Sequence, residues 1–230
     1  MIFTTLQKIS VSVISLLFIF SAVFGVANKQ SFNTITTDTS AFGTAELEDY
    51  TAFADSESEF YESLDAEYLQ IQLDGAQTAF VATVEDVKNQ YECLNYTVNV
   101  DRVVQGDNIS ANETVVLYEY SHFILNENNK LSYFQSVTGN LPLQKGKQYL
   151  IFAEELEYEK GYQENLNHKE YRIFDAEIDT FCISDNQTKP LNINAKSFSE
   201  FEGNEYICFT QKGIDNMNKV KQDILNIYLK

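Results

Sequence analysis

Val98-Asn99-Val100-Asp101-Arg102-Val103-Val104-Gln105-Gly106-Asp107 is the stretch that decides the fold. Just before and within it, Tyr96, Val98 and Val100 alternate with Asn95, Thr97, Asn99 and Asp101, the period of a strand with one buried face. Gly106-Asp107-Asn108 then signals a turn. Upstream, Ala79-Phe80-Val81-Ala82-Thr83-Val84 is apolar on both faces, which predicts a central strand over Ala79–Val87. Downstream, Glu113–Tyr120 reads as a third strand, with Val115 and Leu117 on one face and Val116, Tyr118 and Tyr120 on the other. Lys145-Gly146 turns into a fourth over Gln148–Ala153, and Tyr171–Ile183 supplies a fifth with Phe174, Ala176 and Ile178 on one face. Five strands of this kind predict a small β-barrel.

The remaining segments break the strand rhythm. His122–Asn140 holds Asn126-Glu127-Asn128-Asn129 between two apolar runs and reads as a hairpin-like excursion from the barrel. Glu154–Lys169 and Asp185–Lys196 are polar loops. Over Gly213–Lys230, Ile214, Met217, Val220, Ile224, Leu225, Tyr228 and Leu229 fall on one stripe, which predicts a C-terminal amphipathic helix with a lysine in its last turn. Residues 28–45 are a polar spacer without period. Residues 46–77 are acidic, with Leu, Tyr and Phe at steps of three and four. A helix is expected there from Glu57 to Leu69, capped by Ser56 or Ser58 and packing its apolar stripe on the barrel. The organisation is therefore 1–27, an export segment; 28–45, spacer; 46–77, helical arm; 78–184, barrel; 185–230, loop and helix.

Ile9–Ala27 carries no charge, Lys8 precedes it, and Gly25-Val26-Ala27 places small residues where signal peptidase reads them. Cleavage before Asn28 gives a secreted or envelope protein; without cleavage the same run is long enough to serve as a single membrane anchor. The chain has 16 basic and 34 acidic side chains, a net charge of −18. Such a field repels nucleic acid and anionic lipid, so neither is an expected partner, and membrane contact is expected only through residues 9–27 if uncleaved. The cysteines are Cys93, Cys182 and Cys208, an odd number, and none lies in a Cys-x-x-Cys pair. In an exported protein a Cys182–Cys208 bridge is expected, with Cys93 buried as a small hydrophobe. Asn95, Asn108, Asn112 and Asn186 each open an Asn-x-Ser/Thr triplet, which a chain rich in Asn and Thr produces by chance.

Ala79–Val87, Val98–Asp107 and Gly146-Lys147-Gln148-Tyr149-Leu150-Ile151-Phe152 together resemble the OB-fold barrel of the netrin-like group, to which tissue inhibitors of metalloproteinases belong. The resemblance covers about Thr78–Ile183. It implies a mainly β, α+β architecture: a five-stranded OB-like Greek-key barrel with flanking N-terminal and C-terminal helices. The inhibitors of that group chelate the protease zinc through an N-terminal Cys-x-Cys element. Here the first cysteine is Cys93, so the resemblance carries the fold without that mechanism.

No Gly-x-Ser-x-Gly turn, Walker loop, Gly-x-Gly-x-x-Gly or His-Glu-x-x-His helix occurs, and the two histidines, His122 and His168, are far apart. No catalytic residue, metal or cofactor is assigned. OB barrels bind on the face of their second and third strands and in adjoining loops. In that region Tyr118, Tyr120, His122, Phe123, Tyr133 and Phe134 are the candidate binding residues, since clustered rings stack sugars or anchor a protein partner; the alternative is that these rings fill the barrel mouth or cover the C-terminal helix. The expected function is an exported, non-catalytic module at the cell envelope that binds a protein or a glycan. The alternatives are a protease inhibitor acting without cysteine chelation and an envelope hydrolase using scattered acids or His122.

Overall fold

The computed structural model describes residues 37–38, 59–90, 93–125, 131–136, 139–158, 168–192, 194–195, 197–201 and 203–230, all in one unit, Thr37–Lys230. Its strands are β1 (Thr37–Asp38), β2 (Thr78–Gln90), β3 (Cys93–Gln105), β4 (Thr114–Glu119), β5 (His122–Leu125), β6 (Leu131–Gln135), β7 (Gln148–Glu155), β8 (Lys169–Ile173) and β9 (Thr180–Cys182). Helix α1 spans Ala66–Leu73 and α2 Gln211–Tyr228, with a 3-10 turn at Phe198–Phe201.

The sheet order is β1-β2-β3-β4-β8-β7-β9, and β2 also pairs with β7. That second pairing closes β2, β3, β4, β8 and β7 into a five-stranded barrel in which only β4 and β8 run parallel. The fold is thus mainly β, OB-like, with flanking helices. Closure requires a sharply bent first strand. β2 bends at register shifts between Ala79/Phe80, Val81/Ala82 and Val84/Asp86. Its first half pairs on both edges, and its second half overhangs the barrel, where β1 pairs with Lys88 and Asn89.

The two-faced apolar character of β2 has a direct cause. Phe80, Ala82 and Val84 point into the barrel, joined there by Tyr96, Val98, Val100, Val115, Leu117, Tyr149 and Ile151. Ala79 and Val81 face outward into a second cluster, where Leu150 and Phe152 of β7 meet Leu69 and Leu73 of α1 and Ile214, Met217 and Ile224 of α2. Both faces of these strands leave water, which drives the two layers together. The turn after β3 needs glycine: Gly106 sits at φ 93°, and a Cβ there would lie 2.9 Å from the Gln77 carbonyl oxygen.

Three expectations are corrected. The fifth strand is split. β8 leaves the barrel at Ile173, the chain loops out, and β9 returns to the other end of β7; the backbone of Phe152 holds both ends, its carbonyl accepting from Phe174 N and its N–H donating to the Asp179 carbonyl. Phe174, Ala176 and Ile178 still meet in the outer cluster, but off the strand. The N-terminal helix is also split. Residues 59–63 are helical, then Leu64 turns inward and Asp65 starts α1 by accepting from Glu67 N at 2.8 Å and Tyr68 N at 3.2 Å. Ser56 and Ser58 lie outside the described residues. Finally, α2 has no basic residue in its last turn; Arg102 of β3 donates to the Tyr228 and Leu229 carbonyls instead.

The bridge expected between Cys182 and Cys208 is not made, because Cys182 packs in the barrel cluster and Cys208 in the outer one. Cys93 is half-buried, and that burial pushes its thiol pKa up. Residues 9–27 lie outside the described residues, among which no helix is long and apolar enough to cross a membrane.

Candidate functional site

The hairpin formed by β5 and β6 folds back over the open end of the barrel, and this decides where the candidate aromatics go. Phe123 and Phe134 are each only 2% exposed. Their ring centroids are 5.0 Å apart, and Phe198 completes the cluster at 4.8 Å from Phe123 and 5.5 Å from Phe134. They pack in the barrel cluster with Phe198. Asn89 of β2 fixes the hairpin: its side chain accepts from Phe123 N at 2.9 Å and donates to the Phe123 carbonyl at 3.0 Å. Tyr118 is half-buried and Tyr120 is 57% exposed. The His122 ring is half-buried, with Nδ1 3.1 Å from the Tyr120 carbonyl. The Tyr133 side chain lies outside the described residues. The sequence-predicted rings therefore do not form one exposed platform.

Beside these rings lies a groove of about 470 Å³. Val87, Leu141, Leu143, Phe198 and Phe201 form its apolar lining, and Gln144, Lys145 and Asn204 its polar rim. The segment 141–145 and the segment 198–204 come together because the chain after β6 is stitched to the chain before α2. Leu141 N donates to the Glu205 carbonyl at 2.9 Å, Ile207 N to the Gly139 carbonyl at 2.8 Å, and Gln144 Nε2 to the Asn204 carbonyl at 3.1 Å. Asn140 and Tyr206 form a β-bridge between the same segments. Lys145 is largely exposed, with its ammonium 3.9 Å from Asp86. A concave apolar site of this size with few polar groups at its rim is the usual form of a ligand site.

Behind the groove, a buried ion pair holds the frame. Lys221 of α2 is 1% exposed and donates to Glu205 Oε2 at 2.6 Å and to the Asp185 carbonyl. Glu205 Oε1 accepts from Cys182 N at 2.6 Å and the Tyr206 hydroxyl at 2.9 Å. Burial raises the Glu205 pKa, and Lys221 acts against that rise. The pair ties α2, β9 and the groove-bearing segment to one point.

A second polar cluster sits at the far end of β4. Tyr96 donates to Glu119 Oε2 and accepts from Leu143 N at 3.4 Å. Asn140 Nδ2 donates to Asp179 Oδ1 at 2.8 Å and Thr180 Oγ1 at 3.3 Å. Burial pushes the Glu119 carboxyl up to about 7. Asp179 is raised well above the usual carboxylate range, by burial first and by the Glu119 charge second. Among the described residues no three His, Cys, Asp or Glu side chains converge on a position that would hold a metal ion. His168, the other histidine, is 3.3 Å from Glu170, whose carboxylate also accepts from the Tyr158 hydroxyl at 2.6 Å.

Sequence reasoning missed both clusters, and only one had a signal. Lys221 falls on the α2 stripe between Met217 and Ile224, so a charge was visible at a core position. Glu119 and Asp179 are two acids among many. Compared with known proteins, no protein-family model matches the chain, and no curated protein matches it.

Proposed function

We propose that the chain is a non-catalytic binding module exported to the cell envelope, and that its groove takes an apolar side chain of a protein partner. The observation that carries this reading is the apolar lining of Val87, Leu141, Leu143, Phe198 and Phe201, held open by a hydrogen-bonded rim. Rigid walls lower the entropy cost of binding, and a buried apolar anchor in such a pocket is where interface energy concentrates. A protein fits better than a glycan. Sugars stack on exposed aromatic faces, and Phe198 and Phe201 in the groove, like Phe123 and Phe134 beside it, present little ring face to solvent. Export rests on the uncharged run Ile9–Ala27 with its small-residue cleavage site before Asn28. The netrin-like grouping is supported by the closed five-stranded barrel with its C-terminal helix. Zinc-chelating inhibition does not come with that grouping, because the chain has no Cys-x-Cys pair.

The test is a side-by-side screen of the protein against a peptide library and a glycan array, repeated with Asn204→Trp, which places a large ring over the rim. Peptides carrying an apolar anchor should bind the wild type and lose at least about tenfold in affinity to the variant, the scale of one lost anchor contact. Glycan binding alone, or peptide binding that Asn204→Trp leaves unchanged, refutes the assignment.

A further inference from the structure

Glu119 and Asp179 are 7% and 2% exposed and come from different segments, the end of β4 and the start of β9. With Ser121, Tyr120, Ile173, Phe174 and Asp175 they line a cavity of about 10 Å³, the smallest space that admits one water. Glu119 Oε1 and Asn140 Oδ1, both buried, have no hydrogen-bond partner. The groups that act on Glu119 are Tyr96 from β3 and Ser121; those that act on Asp179 are Glu119, Asn140 and Asp175. Tyr149 of β7 acts on Tyr96. The cations of the surrounding elements are engaged elsewhere: Arg172 of β8 pairs with Glu154, and the His122 ring lies against the Tyr120 carbonyl.

Two carboxyl groups in one buried site, with no opposing cation among the described residues, cannot both be ionised there at tolerable cost. We propose that Glu119 and Asp179 form a proton-operated latch, closing this end of the barrel while the pair is fully protonated and opening the cleft when the first proton leaves. The departing proton leaves a buried charge on Glu119, whose Oε2 accepts from Tyr96 while Oε1 has no partner. A buried carboxylate with an unsatisfied oxygen recruits water, and the cavity admits only about one molecule, so its walls at Ser121, Phe174 and Asp175 part. Three segments meet at the latch. β4 leads through Ser121 into the β5–β6 hairpin; Ser121 pairs with Ser136, and the Ser136 hydroxyl donates to the Asn140 carbonyl at 3.0 Å; Asn140 in turn holds Asp179. Tyr96 carries the change inward, since the hydroxyl that donates to Glu119 also receives the N–H of Leu143 in the groove. The link to ligand binding rests on the groove being the ligand site; the latch itself does not. The ionisation falls near neutral pH, because burial pushes the Glu119 carboxyl up to about 7 and also raises Asp179 well above the usual carboxylate range.

The test is a carboxyl ¹³C NMR titration of the wild-type protein, with amide hydrogen exchange from pH 5 to 9 corrected for intrinsic rates. One glutamate should titrate near 7. Amides of residues 119–121 and 175–180, and Leu143, should lose protection as pH rises from 5 to about 7, by up to about tenfold per pH unit, and level off above it. Glu119→Gln should remove the pH dependence. The latch is refuted if every carboxyl titrates below about 5, or if protection is flat with pH in the wild type. A slope that survives in Glu119→Gln refutes it as well. Should Glu119→Gln fail to fold, the wild-type titration and Asp179→Asn decide. A failed groove assignment leaves the 119–121 and 175–180 signals in place, so the two readings fail separately.

Discussion

Lys221 shows how one residue can be legible and still misread. Ile214, Met217, Val220 and Ile224 announce the buried stripe of α2, and Lys221 stands inside that stripe. The periodic pattern reports burial faithfully, but it says nothing about Glu205, which folds back from the segment just before α2 to meet the ammonium group. Once paired, the two charges depend on each other. Lys221→Ala should cost about 3–5 kcal/mol, because it leaves Glu205 buried and uncompensated. Lys221→Met combined with Glu205→Leu should cost less than Lys221→Ala alone; urea unfolding of the three proteins checks the order. The Glu119 carboxyl sets the pH dependence at the same scale. Its folded pKa of about 7 lies above the ordinary 4.5, so the folded state holds the proton more tightly. Its contribution is fully present below 4.5 and is lost as pH rises through about 7. Unfolding midpoints in urea should therefore fall across that window, and the fall should be shallower in Glu119→Gln.

At the scale of the element, strands were readable wherever neighbours simply covered a face. The alternation in β3 and the two-faced run in β2 gave type and buried faces, because a period of two survives any choice of partner, though β2 runs on to Gln90, three residues past the expected end. What failed were interruptions made by a single polar side chain finding a partner. Asp65 splits the N-terminal helix by taking two backbone N–H groups, yet in the sequence it is one acid among many. The fifth strand splits between Ile173 and Thr180, where the chain loops out and Asp179 turns in toward Asn140. Both captures are long-range or local competitions that periodicity does not encode. Asp65→Ala should lower stability by about 1 kcal/mol, the usual worth of an N-cap, and Asp65→Asn much less. Thermal unfolding of both variants separates capping from charge.

For the whole molecule, the barrel was legible because its core pattern is carried by contiguous strands, whereas the candidate site is assembled from segments far apart in the chain. Phe123 and Phe134 stand in the sequence as candidate binding rings or as filling of the barrel mouth, and nothing near them in sequence indicates that Phe198 packs on them. The groove likewise needs Leu141–Lys145 and Phe198–Asn204 together, a meeting fixed by the bridge of Asn140 to Tyr206 and the bond of Gln144 to Asn204. Export is a whole-chain property too. Intact mass of the native protein should begin at Asn28 in the medium or envelope, or at Met1 in the membrane if the run is kept as an anchor; a full-length mass in the cytosol contradicts export.

The proposed function stands or falls with a protein partner seated in the groove. The most direct measurement places a photo-cross-linking residue at Asn204 on the rim, and as control at Ile71, an exposed position on α1, in cells that make the protein. The account predicts one cross-linked protein from position 204, joined through a peptide with an apolar residue at the contact, and not from position 71. Cross-links to glycan, or the same products from both positions, would contradict it.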